Sequence, residues 1–384
     1  MNKKKATFPP SELKIKSYGM LDIFNPLGFG KIVLRHNTEA SNELFSLLEY
    51  YSEIDNVGDK WLKSRYPNNL KRKSVYLTLQ SFIRQAKSYY YAAEGQGFSI
   101  APLSYFYSFE NLVKAYLTVK RGNTYKQKDY HGLNYHPEKD GRVYLIKSGV
   151  FSDFYRESMK TTISSKISLD IIKQLSYCRD ISYEYSRLHN EAPAYISGKS
   201  AFVVTDPDKL AHVVLAVNPP LRMVTNNLFK ERLNKYYNNA VTFNNLQKLN
   251  ILGIPLNENH LYSYHISKEG WDSGGASFPL DVSENANKVF PTNFFPNLLS
   301  KEEQFVAFMP LRANRVIEYN EIMAIYVVMF YLSNLVRYFP NKLYKADRKG
   351  DTWLLRRYVE SSPLTMLRYM VYLILDKQVI LERI

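Results

Sequence analysis

The sequence predicts a mainly α protein with a helical N-terminal core, an α+β middle segment and a helical C-terminal region. Three observations carry this. Leu79, Phe82, Ile83, Ala86, Tyr90 and Ala93 fall on one helical face, as do Tyr105, Phe109, Leu112, Tyr116 and Val119. After Pro193 the texture changes to β-branched runs, AFVVTD at 201–206 and HVVLAV at 212–217. From Asn320 a helical spacing of apolar residues returns and lasts until Pro340.

Residues 1–40 read as an extended arm punctuated by Pro9, Pro10, Pro26 and several glycines. The helical domain spans 41–193. It opens with a short amphipathic helix at 42–52, followed by a basic segment in which Lys60, Lys63, Arg65, Lys71, Arg72 and Lys73 face no acid. Gly95 and Gly97 stop the first strong helix. Pro102 suits the first turn of the second, where its missing N–H is not needed, and Gly122 ends that helix. Two antiparallel helices packed face to face are the simplest outcome. Residues 142–147 alternate as a strand, and 169–188 read as a helix. Residues 194–300 form the α+β middle segment, with a further strand at 261–266, a polar helical stretch at 226–250 and a loop at 270–279. The C-terminal region, 301–384, contains a buried core helix at 322–336 and a final helix at 364–381.

The chain has 384 residues and a net charge of +15, which favours anionic partners such as nucleic acid or a nucleotide. A Lys-, Asn-, Ile- and Tyr-rich composition of the kind an AT-rich genome produces accounts for the same charge. Cys178 is the single cysteine, which excludes disulfides and cysteine metal clusters within the chain and fits a reducing cytoplasm. The charged N-terminus has no apolar run behind it, unlike a signal peptide. The apolar stretch 322–336 falls short of the roughly 20 residues needed to cross a bilayer. A cytoplasmic protein without membrane contact is the expectation.

Four blocks carry a family resemblance. They are QAKSYYYAAEGQGFSIAPLSYFYSFENLVKAYL; Tyr130-His131-Gly132-Leu133; Gly149-Val150-Phe151, with a Ser-Leu-Asp helix start at Ser168; and YLSNLVRYFP at 331–340. In order and spacing they resemble the YaaC-like family of bacterial proteins, which implies no settled activity. The helix pair ending in Lys-Ala, with a His-Gly pair after the loop, is also similar to the HEPN class of helical domains. That likeness implies a HEPN-like core and a setting among ribonuclease toxins, defence effectors and nucleotide-binding partners. The ribonuclease members carry an Arg, then four to six residues, then a His on one helix. Here Arg121 precedes His131 by ten positions and Arg187 precedes His189 by two, so the pattern is absent.

The sharpest candidate site is the basic loop after the second helix. Arg121, Lys126 and Lys128 neutralise phosphates, Tyr125 and Tyr130 stack on bases, and His131 exchanges protons near neutral pH. Alternatively, this is a solvated loop with His131 holding the chain. Lys114 follows Glu110 by four residues, the orientation that favours an ion pair on one helix face. The functional alternative is a phosphate contact from Lys114 with Asn111 beside it. Cys178 and His189, about 16 Å apart on one helix at 1.5 Å per residue, are too distant for a nucleophile pair. Arg337 ends an apolar helix where a cation is favoured, one turn after Ser333. The run at 342–358 is a second basic stretch with interleaved aromatics. His260 and His265 would point to opposite faces of a strand, and no P-loop, zincin helix or nucleophile elbow occurs.

No cofactor or metal is expected. The leading expectation is an RNA-binding protein, in a stress or phage-defence setting. A metal-independent ribonuclease using His131 with Arg121 or Lys114 is the second. A non-enzymatic scaffold that forms a homodimer through its helices, or that meets another protein partner, is the third.

Overall fold

The computed structural model describes residues 4–5, 31–36, 38–122, 130–137, 141–205, 210–218, 237–241, 263–267, 269–272, 294–296, 305–314, 316–343 and 350–383. The chain divides into two compact units. One comprises residues 1–31 and 194–310, the other 32–193 and 311–384. The protein is mainly helical, and among the described residues its helices lie in the second unit.

The described parts of the first unit form an antiparallel sheet. Tyr195–Thr205 pairs along Leu210–Asn218, with a bulge between Gly198 and Ser200. Phe305–Phe308 and Phe294–Pro296 extend one side. Glu269–Asp272 and Ser263–Ser267 pair with the other, at different points along Leu210–Asn218. Tyr237–Val241 then pairs with Ser263–Ser267. This corrects the helical reading of 226–250 at 237–241, where the adjacent strand fixes an extended backbone; the rest of that stretch lies outside the described residues. In the same way, 270–272 belong to a strand rather than a loop. His265 sits in Ser263–Ser267, and His260 lies outside the described residues.

In the helical unit, β1 (Lys31–His36) precedes α1 (Ala40–Glu53), α2 (Asp55–Lys63), α3 (Asn69–Ala93) and α4 (Ala101–Arg121). A three-stranded antiparallel meander follows: β2 (Leu133–Tyr135), β3 (Arg142–Leu145) and β4 (Ile167–Asp170), with α5 (Val150–Met159) between its last two strands. Next come α6 (Ile171–Leu175), a 3-10 turn at Arg179–Ile181 and α7 (Ser182–His189). After the sheet unit the chain returns with the hairpin β5 (Leu311–Arg312) and β6 (Val316–Ile317), then α8 (Glu321–Tyr338), α9 (Asp351–Leu375) and β7 (Gln378–Arg383). β7 pairs with β1.

α3 and α4 pack as the predicted antiparallel pair. Tyr90 meets Tyr105 edge to face at 5.3 Å, and Ser108 Oγ donates to the Ala86 carbonyl at 2.8 Å. Gly122, at φ +69°, lets the chain leave α4 beside Tyr66 and Lys71. α8 is buried without a break from Glu321 to Ser333, as expected of a helix surrounded by others. Asn320 caps it by accepting from the Met323 N–H at 3.0 Å. Among the described residues no helix is long and apolar enough to cross a membrane.

Three readings of the helical unit need correction. The stretch 169–188 is not one helix. Residues 167–170 pair with 142–145 as a strand, and Asp170 then caps a helix of only five residues. Cys178 and His189 therefore occupy different elements. Cys178 is buried, with its thiol on the Gln174 carbonyl, and His189 sits 3.2 Å from Asp351. The final helix begins at Asp351 rather than 364. Pro363 forfeits one backbone hydrogen bond inside it, but Val359, Ser362, Met366 and Leu367 are buried on both sides and the helix continues. It ends at Asp376, in the left-handed region at φ +53°. Finally, the basic segment does meet acids. Arg72 is 7% exposed and bonds to Asp59 and to the Tyr66 and Pro67 carbonyls, while Arg65 pairs with Asp376.

Candidate functional site

α4 carries the candidate site because its turns stack Phe106, Glu110 and Lys114 along one line, with Tyr107 and Asn111 beside it. Glu110 is a carboxylate on a buried helix face, 4% exposed. It has two nitrogen neighbours: Lys114 Nζ lies 3.2 Å and His131 Nδ1 3.1 Å from the same oxygen, Glu110 Oε1. Burial pushes the Glu110 carboxyl up. The hydrogen bond and charge of His131, together with Lys114, outweigh this and hold it below its ordinary 4.5. An ionised Glu110 only accepts, so Nδ1 of His131 carries the proton and Nε2 is the lone-pair nitrogen when the ring is neutral.

The ring is also fixed by packing. Phe106 meets it edge to face at 5.3 Å and Phe330 of α8 lies at 5.9 Å. Its backbone is fixed by the start of α5. The carbonyls of Tyr130 and His131 accept the Val150 and Phe151 N–H groups, both at 2.9 Å, and Gly132 accepts from Ile146 at 3.2 Å. Gly132 and Gly149 have φ of +81° and +119°. The His-Gly and Gly-Val-Phe blocks are thus two sides of one backbone contact.

The sequence-predicted residues divide between two clusters. His131 and Lys114 converge on Glu110. Arg121 instead ties the end of α4 to α5, with Nε 3.0 Å from Glu157 and a guanidinium nitrogen 3.2 Å from Asp153. It shares those acids with Arg156 and Lys160. Asn111 turns back on its own helix and donates to the Tyr107 carbonyl at 2.8 Å. Tyr130 is 67% exposed. Lys126 and Lys128, like Tyr125, lie outside the described residues. The Glu110–Lys114 ion pair is present as the spacing suggested. Arg337 both donates to the Ser333 carbonyl at 3.4 Å and reaches the Tyr107 hydroxyl at 3.1 Å, with its guanidinium 5.8 Å from the Tyr107 ring and 5.0 Å from that of Tyr338.

Sequence reading missed Glu110 as the partner of His131. No local signal pointed to it, because the sequence does not fix the path between α4 and His131. It also missed a buried polar cluster at the start of α8. There Glu321, fully buried, accepts from the Arg179 backbone at 2.6 Å, the Arg179 guanidinium at 2.9 Å and the Tyr369 hydroxyl at 3.1 Å. Beside it Asp180 accepts from Thr365 at 2.5 Å. No group of side chains among the described residues could hold a metal ion.

These features define a two-unit protein whose helical unit presents an oriented histidine beside a lysine on a buried carboxylate. A family model described as YaaC-like Protein matches residues 34–374, and the chain belongs to this family. No curated protein and no solved structure matches the chain.

Proposed function

We propose that the chain is an RNA-associated protein, with a HEPN-like helix pair presenting its contact surface. The observation that carries this reading is the grouping of His131 and Lys114 on Glu110, next to the exposed Tyr130. Cations for phosphates beside an aromatic ring for a base are the elements of single-strand recognition. Arg337, held over Tyr107 and Tyr338 on the same side of α4 as Asn111, adds a guanidinium and two more rings. The net charge of +15 supports the same class of partner. The test is filter binding of tRNA and a single-stranded RNA across a salt series. Salt-sensitive binding whose log–log slope drops by about one in Lys114→Ala is expected. Affinity without salt dependence, or none at all, overturns the reading.

One observation favours a second reading, metal-independent RNA cleavage. A carboxylate on Nδ1 orients an imidazole, leaving Nε2 as the proton-transfer atom. Lys114, rather than the acid-bound Arg121, is then the cation beside it. Cleavage that survives His131→Ala excludes His131 as its catalyst.

A further inference from the structure

The helical unit has a second concave place, which the α4 site does not use. β3, β4, α6 and the β5–β6 hairpin line an open cavity of about 240 Å3. Its walls are tied by backbone pairing and side-chain bonds. Arg142 stands opposite Asp170 in the β3–β4 register, and Asn314 of the hairpin donates to the Lys166 carbonyl at 3.0 Å.

Gln174 lines this cavity and is 1% exposed. Its Nε2 donates to the Asp170 carbonyl at 3.2 Å, which fixes the amide orientation, because exchanging O and N would set two carbonyl oxygens against each other. Gln174 Oε1 is then a buried acceptor with no donor among the described residues. Such an atom has an unmet need for a donor, which a bound molecule could supply.

Arg142, Lys173 and Arg312 also border the cavity, and all three are exposed. No carboxylate among the described residues forms an ion pair with any of them. Arg142 donates to Ser168 Oγ at 3.2 Å, and the single acid of the cavity, Asp170, accepts the Lys173 backbone N–H at 3.2 Å. Three cations against one carboxylate leave a surplus of two positive charges, the match for a phosphate dianion.

We propose that this cavity binds a small phosphate monoester bearing a hydroxyl or amine donor, with the phosphate on Arg142, Lys173 and Arg312 and the donor on Gln174 Oε1. The volume lies below the roughly 300 Å3 at which sites for drug-sized ligands begin, which suits a molecule the size of a sugar phosphate. A 5′-phosphorylated RNA end offers the same chemistry, so the test separates the two sources.

The experiment is calorimetric titration of the full chain with ribose 5-phosphate, inorganic phosphate, ribose, and a short RNA with a 5′-phosphate or a 5′-hydroxyl. Ribose 5-phosphate is expected to bind and ribose not to. The surface variant Arg142→Ala/Arg312→Ala is expected to lose about tenfold or more in affinity, as removal of charge-assisted hydrogen bonds entails. Gln174→Leu should weaken ribose 5-phosphate while leaving inorganic phosphate unchanged, a split that general misfolding would not give. If the RNA binds only with its 5′-phosphate, loses that preference in the double variant, and ribose 5-phosphate fails, the small-molecule assignment is overturned in favour of an RNA end. Absence of binding by every probe, or binding that the double variant leaves intact, overturns the site itself.

Discussion

Gly149 lies so close to Gly132 that a Cβ on it would sit 2.3 Å from the Gly132 nitrogen. Seventeen positions apart in the chain, the two glycines let the His131 loop and the first turn of α5 touch backbone to backbone. Gly149→Ala adds that clash to a φ of +119°, which L side chains rarely adopt. A stability loss of about 3 kcal/mol is expected from urea denaturation. A loss below about 1 kcal/mol would show that the loop and helix part without cost.

Glu110 makes the helical unit acid-sensitive. Its folded-state pKa is depressed, so its contribution is present above the ordinary 4.5 and disappears as pH falls through the lower folded value. Glu110→Gln should therefore lower stability at pH 7 and flatten the loss seen on acidification below 4.5. Denaturation series from pH 3 to 7 check this; parallel curves for the two proteins would contradict it.

Asp180 behaves in the opposite sense. Burial and then the neighbouring Glu321 charge raise it from 3.8 to about 6. Between those values the native state binds more protons than the unfolded chain, so stability falls as pH rises through this window and stays reduced above it. Asp180→Asn, which retains an acceptor for Thr365, should gain about 2 kcal/mol at pH 7.5 and little at pH 4. An equal effect at both pH values would exclude ionisation of Asp180 as the cause.

Arg72 joins α2, the following turn and α3 through Asp59, the Tyr66 and Pro67 carbonyls and Asn69. Arg72→Ala leaves two carbonyls and a carboxylate without their shared donor, and about 3 kcal/mol of destabilisation is expected. Lys73, exposed on the same helix, is the control: Lys73→Ala should change stability by less than about 0.5 kcal/mol. Similar midpoints for the two variants in a urea titration would remove Arg72 from the framework.

The α3–α4 pair, the central α8 and the two long strands were legible because apolar spacing, glycine stops and β-branched runs agree there. The YaaC-like resemblance, read from blocks around Tyr130-His131-Gly132 and Gly149-Val150-Phe151, was likewise correct. Failures came where tertiary contacts overrode local signals. The final helix was expected from 364 and begins at Asp351, and Leu169 suggested a helix and lies in β4. Partners far apart in sequence left no local trace: Asp376 answers both Arg65 and Lys120, 311 and 256 positions away. Of the candidate site, the Glu110–Lys114 pair could be read from i, i+4 spacing. The His131–Glu110 bond could not, since a loop of unfixed path separates the two.

The helical unit is assembled from two stretches of chain with the sheet unit threaded between them, and this has a consequence on the ribosome. When residues 32–193 emerge, the face of α4 that Phe106 turns toward Tyr326 and Phe330 lacks the α8 rings that pack on it. Residues 194–310 must be synthesised before α8 exists, which takes on the order of ten seconds at ribosomal speeds. The nascent protein thus carries an exposed aromatic seam for that interval, a natural target for a chaperone and the stage at which aggregation competes with folding.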